Sequence, residues 1–245
     1  MAKEYDLLMR RIQEECKTDK KLLTTKHSKA IVECFPDCFV YPWGSKKADN
    51  VFVTMEPSLQ HLQELQSNRG PAKMLNFVSS KRDFILHFFI REHIKQASYY
   101  ITDMAKGAMF TKDAVQSYIG RWIRWYPLLI DELKTVVHPK TKVFALGEKV
   151  FNALYYSNTQ EILGLETRVK GLTHYANRFP RAPRRLAKRI VDRYKKVNMQ
   201  AFAKLILKET GADSKLILQI SNRIKNLNDA DIELLGCWEQ EFASD

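Results

Sequence analysis

Cysteine is scarce, with four in 245 residues: Cys16, Cys34, Cys38 and Cys237. That is too few and too scattered for a disulfide scaffold in a chain this long. Cys34 and Cys38 stand four apart, but no second Cys/His pair lies at a usable spacing. Free thiols and no metal are therefore expected. No apolar run approaches the roughly 18–20 residues that cross a bilayer. Met1-Ala-Lys-Glu-Tyr-Asp6 lacks the apolar stretch of a secretory signal. The expectation is a soluble protein of the cytoplasm or nucleus with no membrane partner. Negative charge is also short: 28 Asp and Glu against 40 Lys and Arg, a net charge of +12. An excess of this size suggests a polyanionic partner, nucleic acid first.

Several chemistries lack their signatures. There is no G-x-x-x-x-G-K-[ST] loop and no G-x-G-x-x-G to cradle phosphates. There is no G-x-S-x-G elbow. Neither H-E-x-x-H nor H-x-E with P-C-x-x-C is present, which disfavours zinc proteases and zinc deaminases. No repeat of 20–50 residues and no low-complexity tract stands out.

What is present is a hydrophobic content of 45%, ordinary for a domain with a real core. Residues 4–33 show helical periodicity, with Leu7, Leu8, Ile12 and Cys16 on one apolar face. Residues 35–44 form an aromatic loop punctuated by Pro36, Pro42 and Gly44. Val51-Phe-Val53 reads as a buried strand that stops at Glu56-Pro57-Ser58. Ser80 is placed to cap a helix running to about Gln96, with Phe84, Ile85, Phe88, Phe89 and Ile94 buried. Further strands fall at 99–103, 142–147 and 168–174. A long helix covers 113–137, its Trp122, Trp125, Leu128, Leu129, Leu133 and Val136 facing a core. A shorter helix covers 148–157, and from His174 to Leu207 the chain is helical in pattern and very basic. Strands alternating with helices predict an α/β fold, three-layer αβα, with a central four-stranded mostly parallel sheet. Residues 1–197 form the main domain, and 198–245 form a helical C-terminal extension.

Three polar residues stand at strand ends: Glu56, Asp103 and His174. In a parallel sheet those ends share one edge, where ligands bind. A carboxylate and a histidine facing one pocket can hold a water or stabilise an anion formed by bond cleavage. Each also has a purely structural reading: a turn for Glu56, an N-cap or Asx-turn for Asp103, a loop histidine bonded to backbone for His174. Directly after His174, residues 178–196 carry nine Lys and Arg against one acid, Asp192. Such a segment grips phosphates or forms a solvated helix face.

The order of these motifs resembles the uracil-DNA glycosylase superfamily, in a family-4-like layout, over about residues 34–180. Asp49-Asn-Val-Phe-Val-Thr-Met-Glu-Pro-Ser58 resembles its first motif, a strand running into G-E-A-P-G. Leu75-Asn-Phe-Val78 resembles P-F-x-G. Tyr100-Ile-Thr-Asp-Met-Ala-Lys106 resembles Y-I-T-N-x-x-K. Leu128-Leu-Ile-Asp-Glu-Leu133, His138-Pro-Lys140 and Val143-Phe-Ala-Leu-Gly147 resemble the next segment. Thr173-His-Tyr-Ala-Asn-Arg178 resembles the H-P-S/A motif. The resemblance implies a DNA glycosylase of base-excision repair that flips a deaminated base out of single- or double-stranded DNA.

In that scheme Glu56 positions the water and His174 donates to the departing base. Phe77 stacks on the base and Asp103 contacts its edge, with Met55 and Asn177 also lining the pocket. Arg178, Arg181, Arg184, Arg185 and Lys188 hold DNA. No cofactor is expected, because the cysteines do not match the family's iron–sulfur pattern, and a monomer is expected. The sequence departs from the family at three positions. Met55 stands where the family-4 glutamate falls, Asp103 replaces the base-reading Asn, and Tyr175 replaces a proline. These departures motivate an alternative: a non-catalytic nucleic-acid-binding protein that keeps the fold. A scaffold protein whose C-terminal helices bind a partner is the third reading.

Overall fold

The computed structural model describes residues 2–21, 42–44, 47–57, 77–78, 80–94, 97–174, 184–210 and 212–243. In chain order its elements are α1 (Ala2–Lys20), β1 (Trp43–Gly44), β2 (Asn50–Thr54), α2 (Lys81–His93), β3 (Tyr99–Asp103), α3 (Thr111–Lys134), β4 (Lys142–Leu146), α4 (Glu148–Tyr156), α5 (Thr159–Ile162), β5 (Lys170–Leu172), α6 (Arg184–Tyr194), α7 (Met199–Ile206), α8 (Ser214–Ile224) and α9 (Asp229–Phe242). The chain forms two compact units. One comprises Met1–Asn76 with Ala97–Lys170, the other Phe77–Gln96 with Gly171–Asp245. Among the described residues no helix is long and apolar enough to cross a membrane.

The fold is α/β with a five-stranded, mostly parallel sheet in the order β1-β3-β2-β4-β5. β2 runs parallel to both β3 and β4, with Val51 opposite Tyr100 and Val143. All five residues of β2 are buried, as an apolar run flanked by parallel neighbours must be. Phe52 stacks on Phe144 of β4, ring centroids 4.9 Å apart. From β3 the chain passes through α3 to β4, on the opposite side of β2. The strand order therefore reverses between β2 and β4, and the carboxyl ends there form a topological switch point.

The expected four strands become five, because Trp43–Gly44 pairs antiparallel with β3. Two residues are too short for a period-two pattern to register. Gly44 is required at that edge: its φ is +117°, and a Cβ would lie 2.2 Å from the Tyr99 carbonyl oxygen. The rest of the aromatic loop, 35–41, lies outside the described residues, as do 22–33 of the first helix and Cys34 and Cys38. Cys16 and Cys237 are buried thiols.

The first unit's core joins Leu8, Met9, Ile12 and Cys16 of α1 to Trp125, Leu129 and Leu133 of α3. Leu7, expected on the buried face, is 62% exposed. Its neighbours Leu8 and Ile12 take the inward positions of that turn, and Leu7 is rotated away by about 100° per residue. In the second unit Ser80 caps α2 as expected. Its hydroxyl accepts from the Asp83 N–H at 3.2 Å, and Asp83 accepts from the Ser80 N–H at 2.7 Å. α2 ends at His93, ahead of the expected Gln96, where Ile94 leaves helical geometry. Its aromatic face is buried by the C-terminal helices: Phe88 meets Tyr194 edge-on and Phe89 packs on Trp238. That burial groups α2 with α6–α9.

Candidate active site at the carboxyl edge of the sheet

Glu56 follows β2 by two residues, on a segment held by backbone hydrogen bonds. The Met104 N–H donates to the Thr54 carbonyl at 2.8 Å, Ala105 to Met55 at 3.1 Å, and Met109 to Pro57 at 3.1 Å. The segments after β2 and β3 thus stay paired beyond the sheet, and the Glu56 backbone is fixed before any ligand arrives.

The Glu56 side chain is 11% exposed and meets α3. Trp122 Nε1–H donates to its Oε2 at 3.4 Å, and Arg121 Nη1 stands 3.6 Å from the same oxygen. Arg121 is fully buried and its other donors are used elsewhere. Nε and Nη2 bond Asp19 Oδ2 at 3.1 and 3.0 Å, and Nη2 also reaches the Gly107 carbonyl at 3.0 Å. Asp19 further accepts from Trp125 Nε1 at 2.8 Å and from Arg124 at 2.7 Å. Gly107 is the residue that lets this cluster close, because a Cβ there would come within 2.6 Å of Asp19 Oδ2. Asp19 and the Gly107 carbonyl occupy Nε and Nη2 of Arg121, and its Nη1 makes no hydrogen bond among the described residues. Glu56 is left with one long hydrogen bond and with the unbonded Nη1 of Arg121 3.6 Å away.

Burial raises the Glu56 pKa above the usual carboxylate value. Arg121 and the Trp122 hydrogen bond oppose the shift, Asp19 adds to it, and Lys149 opposes it weakly. A carboxylate of raised pKa takes a proton from water more readily than an ordinary one. Desolvation with specific charge partners is also the pattern of functional carboxylates.

Asp103 closes β3 directly opposite Thr54, whose hydroxyl donates to Asp103 Oδ1. It is 2% exposed. Beneath it Lys106 and Glu132 form a buried ion pair at 2.7 Å. Tyr100 and Thr102 hydroxyls donate to the other Glu132 oxygen, each at 2.7 Å. Met55 is half-buried and packs on the unit's core.

Glu56, Asp103 and Met55 therefore belong to the first unit, at the ends of adjacent strands. Phe77 and His174 belong to the second unit. Phe77 is buried, with a left-handed φ of +62°. Its carbonyl pairs with His87 Nε2 at 2.9 Å. His174 follows β5. Its pKa is lowered to about 4, first by burial and then by Arg82, so the ring is neutral at pH 7. The preceding residue is anchored: Thr173 N–H donates to Glu241 at 2.8 Å, and its carbonyl accepts from Trp238 Nε1 at 2.8 Å.

Asn177, Arg178 and Arg181 lie outside the described residues, as does the Arg184 side chain. Arg185 and Lys188 are exposed on α6. With Arg189, Arg193 and Lys196 they border an open groove of about 490 Å³. Ala187, Ile190, Val191 and Tyr194 fill the buried side of the same helix.

Asp19 and Arg121 escaped sequence reasoning. Their signal was a charged residue on an apolar stripe: Asp19 continues Leu8, Ile12 and Cys16, and Arg121 lies one turn before Trp125. No protein-family model matches the chain, and no curated protein matches it.

Proposed function

We propose that this chain is a DNA glycosylase of the uracil-DNA glycosylase type, hydrolysing the N-glycosidic bond of a flipped, deaminated base. The observation that carries this reading is Glu56. It is a buried carboxylate of raised pKa, on a fixed segment at the switch point, with an incompletely bonded arginine beside it. The motif order and the exposed basic side of α6 support it.

In the reaction, the water oxygen forms a bond to the sugar C1′ as the C1′–N bond breaks. The bonding pair leaves with the base, and the water proton passes to the Glu56 carboxylate. Arg121 and the Trp122 hydrogen bond favour the ionised carboxylate against the cost of burial. The resemblance assigns base stacking to Phe77, an edge contact to Asp103, and donation to the departing base to His174. A neutral imidazole suits such a donor. Cationic side chains of α6 contribute salt-dependent affinity for phosphates. A three-layer domain acting as a monomer on DNA, in the cytoplasm or nucleus, completes the proposal.

The test is release of free base from single- and double-stranded oligonucleotides carrying uracil, hypoxanthine or xanthine. Glu56→Gln is expected to slow release by roughly 10²–10⁴-fold. No release from any of these substrates refutes the reading.

A second reading, a non-catalytic nucleic-acid-binding protein, is favoured by Asp103. That carboxylate is buried and accepts the Thr54 hydroxyl, where a base-reading amide would offer a donor as well as an acceptor. It predicts salt-sensitive DNA binding that Glu56→Gln leaves unchanged, with no base release.

A further inference from the structure

Within the first unit, α3 and α4 enclose a groove of about 470 Å³. Tyr118, Trp122 and Ile123 line it from α3, and Lys149 and Asn152 from α4. Ile123 is 69% exposed and Ile119, one turn earlier, is 62% exposed. One turn apart, the two form an exposed aliphatic strip on α3 beside the groove. The groove is not uniformly apolar. Lys149 Nζ lies 4.2 Å from the centre of the Tyr118 ring, which meets the Trp122 indole edge-on at 5.5 Å. The groove also adjoins the candidate active site, because the Trp122 Nε1–H that donates to Glu56 belongs to the same indole.

These features restrict the occupant. It needs a broad apolar face to cover Ile123 and the aromatic edges. It needs a polar rim for the Asn152 amide, which both donates and accepts. It needs negative charge near Lys149. An aliphatic chain meets only the first requirement. A nucleotide whose base is unpaired meets all three, and a chain of net charge +12 attracts it.

We propose that this groove binds an unpaired base of single-stranded nucleic acid, with the adjoining phosphate at Lys149, as a subsite beside Glu56. The inference rests on the nucleic-acid reading given above but not on catalysis. Since apolar contact with Ile123 and the aromatic edges tolerates any base, the subsite recognises single-strandedness rather than sequence.

The experiment compares two fluorescently labelled strands of about twelve nucleotides, a length within the range single-strand sites cover. One carries ordinary bases. The other carries tetrahydrofuran residues in place of every nucleoside. Both hold the same phosphates, so the basic side of α6 contributes equally and the ratio of affinities isolates the bases. Anisotropy titration of the wild-type protein is expected to favour the base-bearing strand by roughly tenfold or more. Ile123→Glu, an exposed site where a carboxylate does not disturb the core, is expected to bring the ratio close to one, whereas Ile123→Val keeps it. Equal affinity of the wild type for both strands overturns the inference. So does an unchanged ratio in Ile123→Glu, and so does a loss of self-association in that variant with the ratio intact. The outcomes separate from those of the base-release test. A base preference without release sustains the groove and sinks the glycosylase reading. Release with equal affinities does the reverse.

Discussion

Glu56→Gln separates a carboxylate kept for chemistry from one kept for stability. At 3.6 Å from Arg121 Nη1, an effective dielectric constant of about 20 gives an attraction of roughly 5 kcal/mol. Against it stand the cost of stripping water from the carboxylate, several kcal/mol for a buried ion, and repulsion from Asp19. The Glu56 pKa is raised, so the opposing effects exceed the attraction and ionised Glu56 is a net burden on the fold. Glutamine keeps an oxygen for Trp122 Nε1–H and sheds the charge. At pH 7 the variant is expected to be more stable than wild type, seen as a higher Tm. The pH dependence fixes the cause. A carboxyl whose folded pKa lies above its unfolded value binds more protons in the native state. Wild-type stability therefore falls as pH rises from the unfolded value towards the folded one. The advantage of the variant is absent below about pH 4.5, the ordinary value, and opens as pH increases. Thermal unfolding of both proteins between pH 4 and 8 measures it. If the variant melts several degrees below wild type at pH 7 and matches it at pH 4, Glu56 is a structural ion-pair partner and the reasoning fails.

Three further outcomes follow from the same contacts. Lys106→Met strands the fully buried Glu132 charge and is expected to cost about 3–5 kcal/mol in urea denaturation, most of it recovered in the double variant with Glu132→Gln. His87→Leu leaves the Phe77 carbonyl without its imidazole partner, at a cost of about 1–3 kcal/mol. Burial, helped by Arg91, lowers the His87 pKa to about 3, so the wild type loses stability as pH falls from 6.5 towards 3, and the leucine variant should lose less over that range. Replacing Arg185, Lys188 and Arg189 together by alanine should flatten the slope of log affinity for DNA against log salt by about 2–3; an unchanged slope means that side of α6 is only solvated.

The sequence by itself determined what depends on neighbours along the chain. The β2 run of Val51, Phe52 and Val53, the Ser80 cap of α2, and the buried face of α3 through Trp122, Trp125, Leu129 and Leu133 were all legible, because periodicity and capping act over a few residues. It also placed Glu56 and Asp103 at strand ends, since an apolar run that stops at a polar residue marks its own terminus. Tertiary structure decided what those carboxylates touch. Asp19 and Arg121 lie 102 residues apart in sequence, and only the packing of α1 on α3 brings them together. That contact occupies most of the guanidinium and leaves one nitrogen facing Glu56. The two-residue β1 needed a partner strand to exist at all. α2, helical by its own sequence, went to the C-terminal helices because their apolar faces are what its phenylalanines bury against. Pairing over long sequence separation depends on the shape of the whole packed surface, which no local pattern encodes.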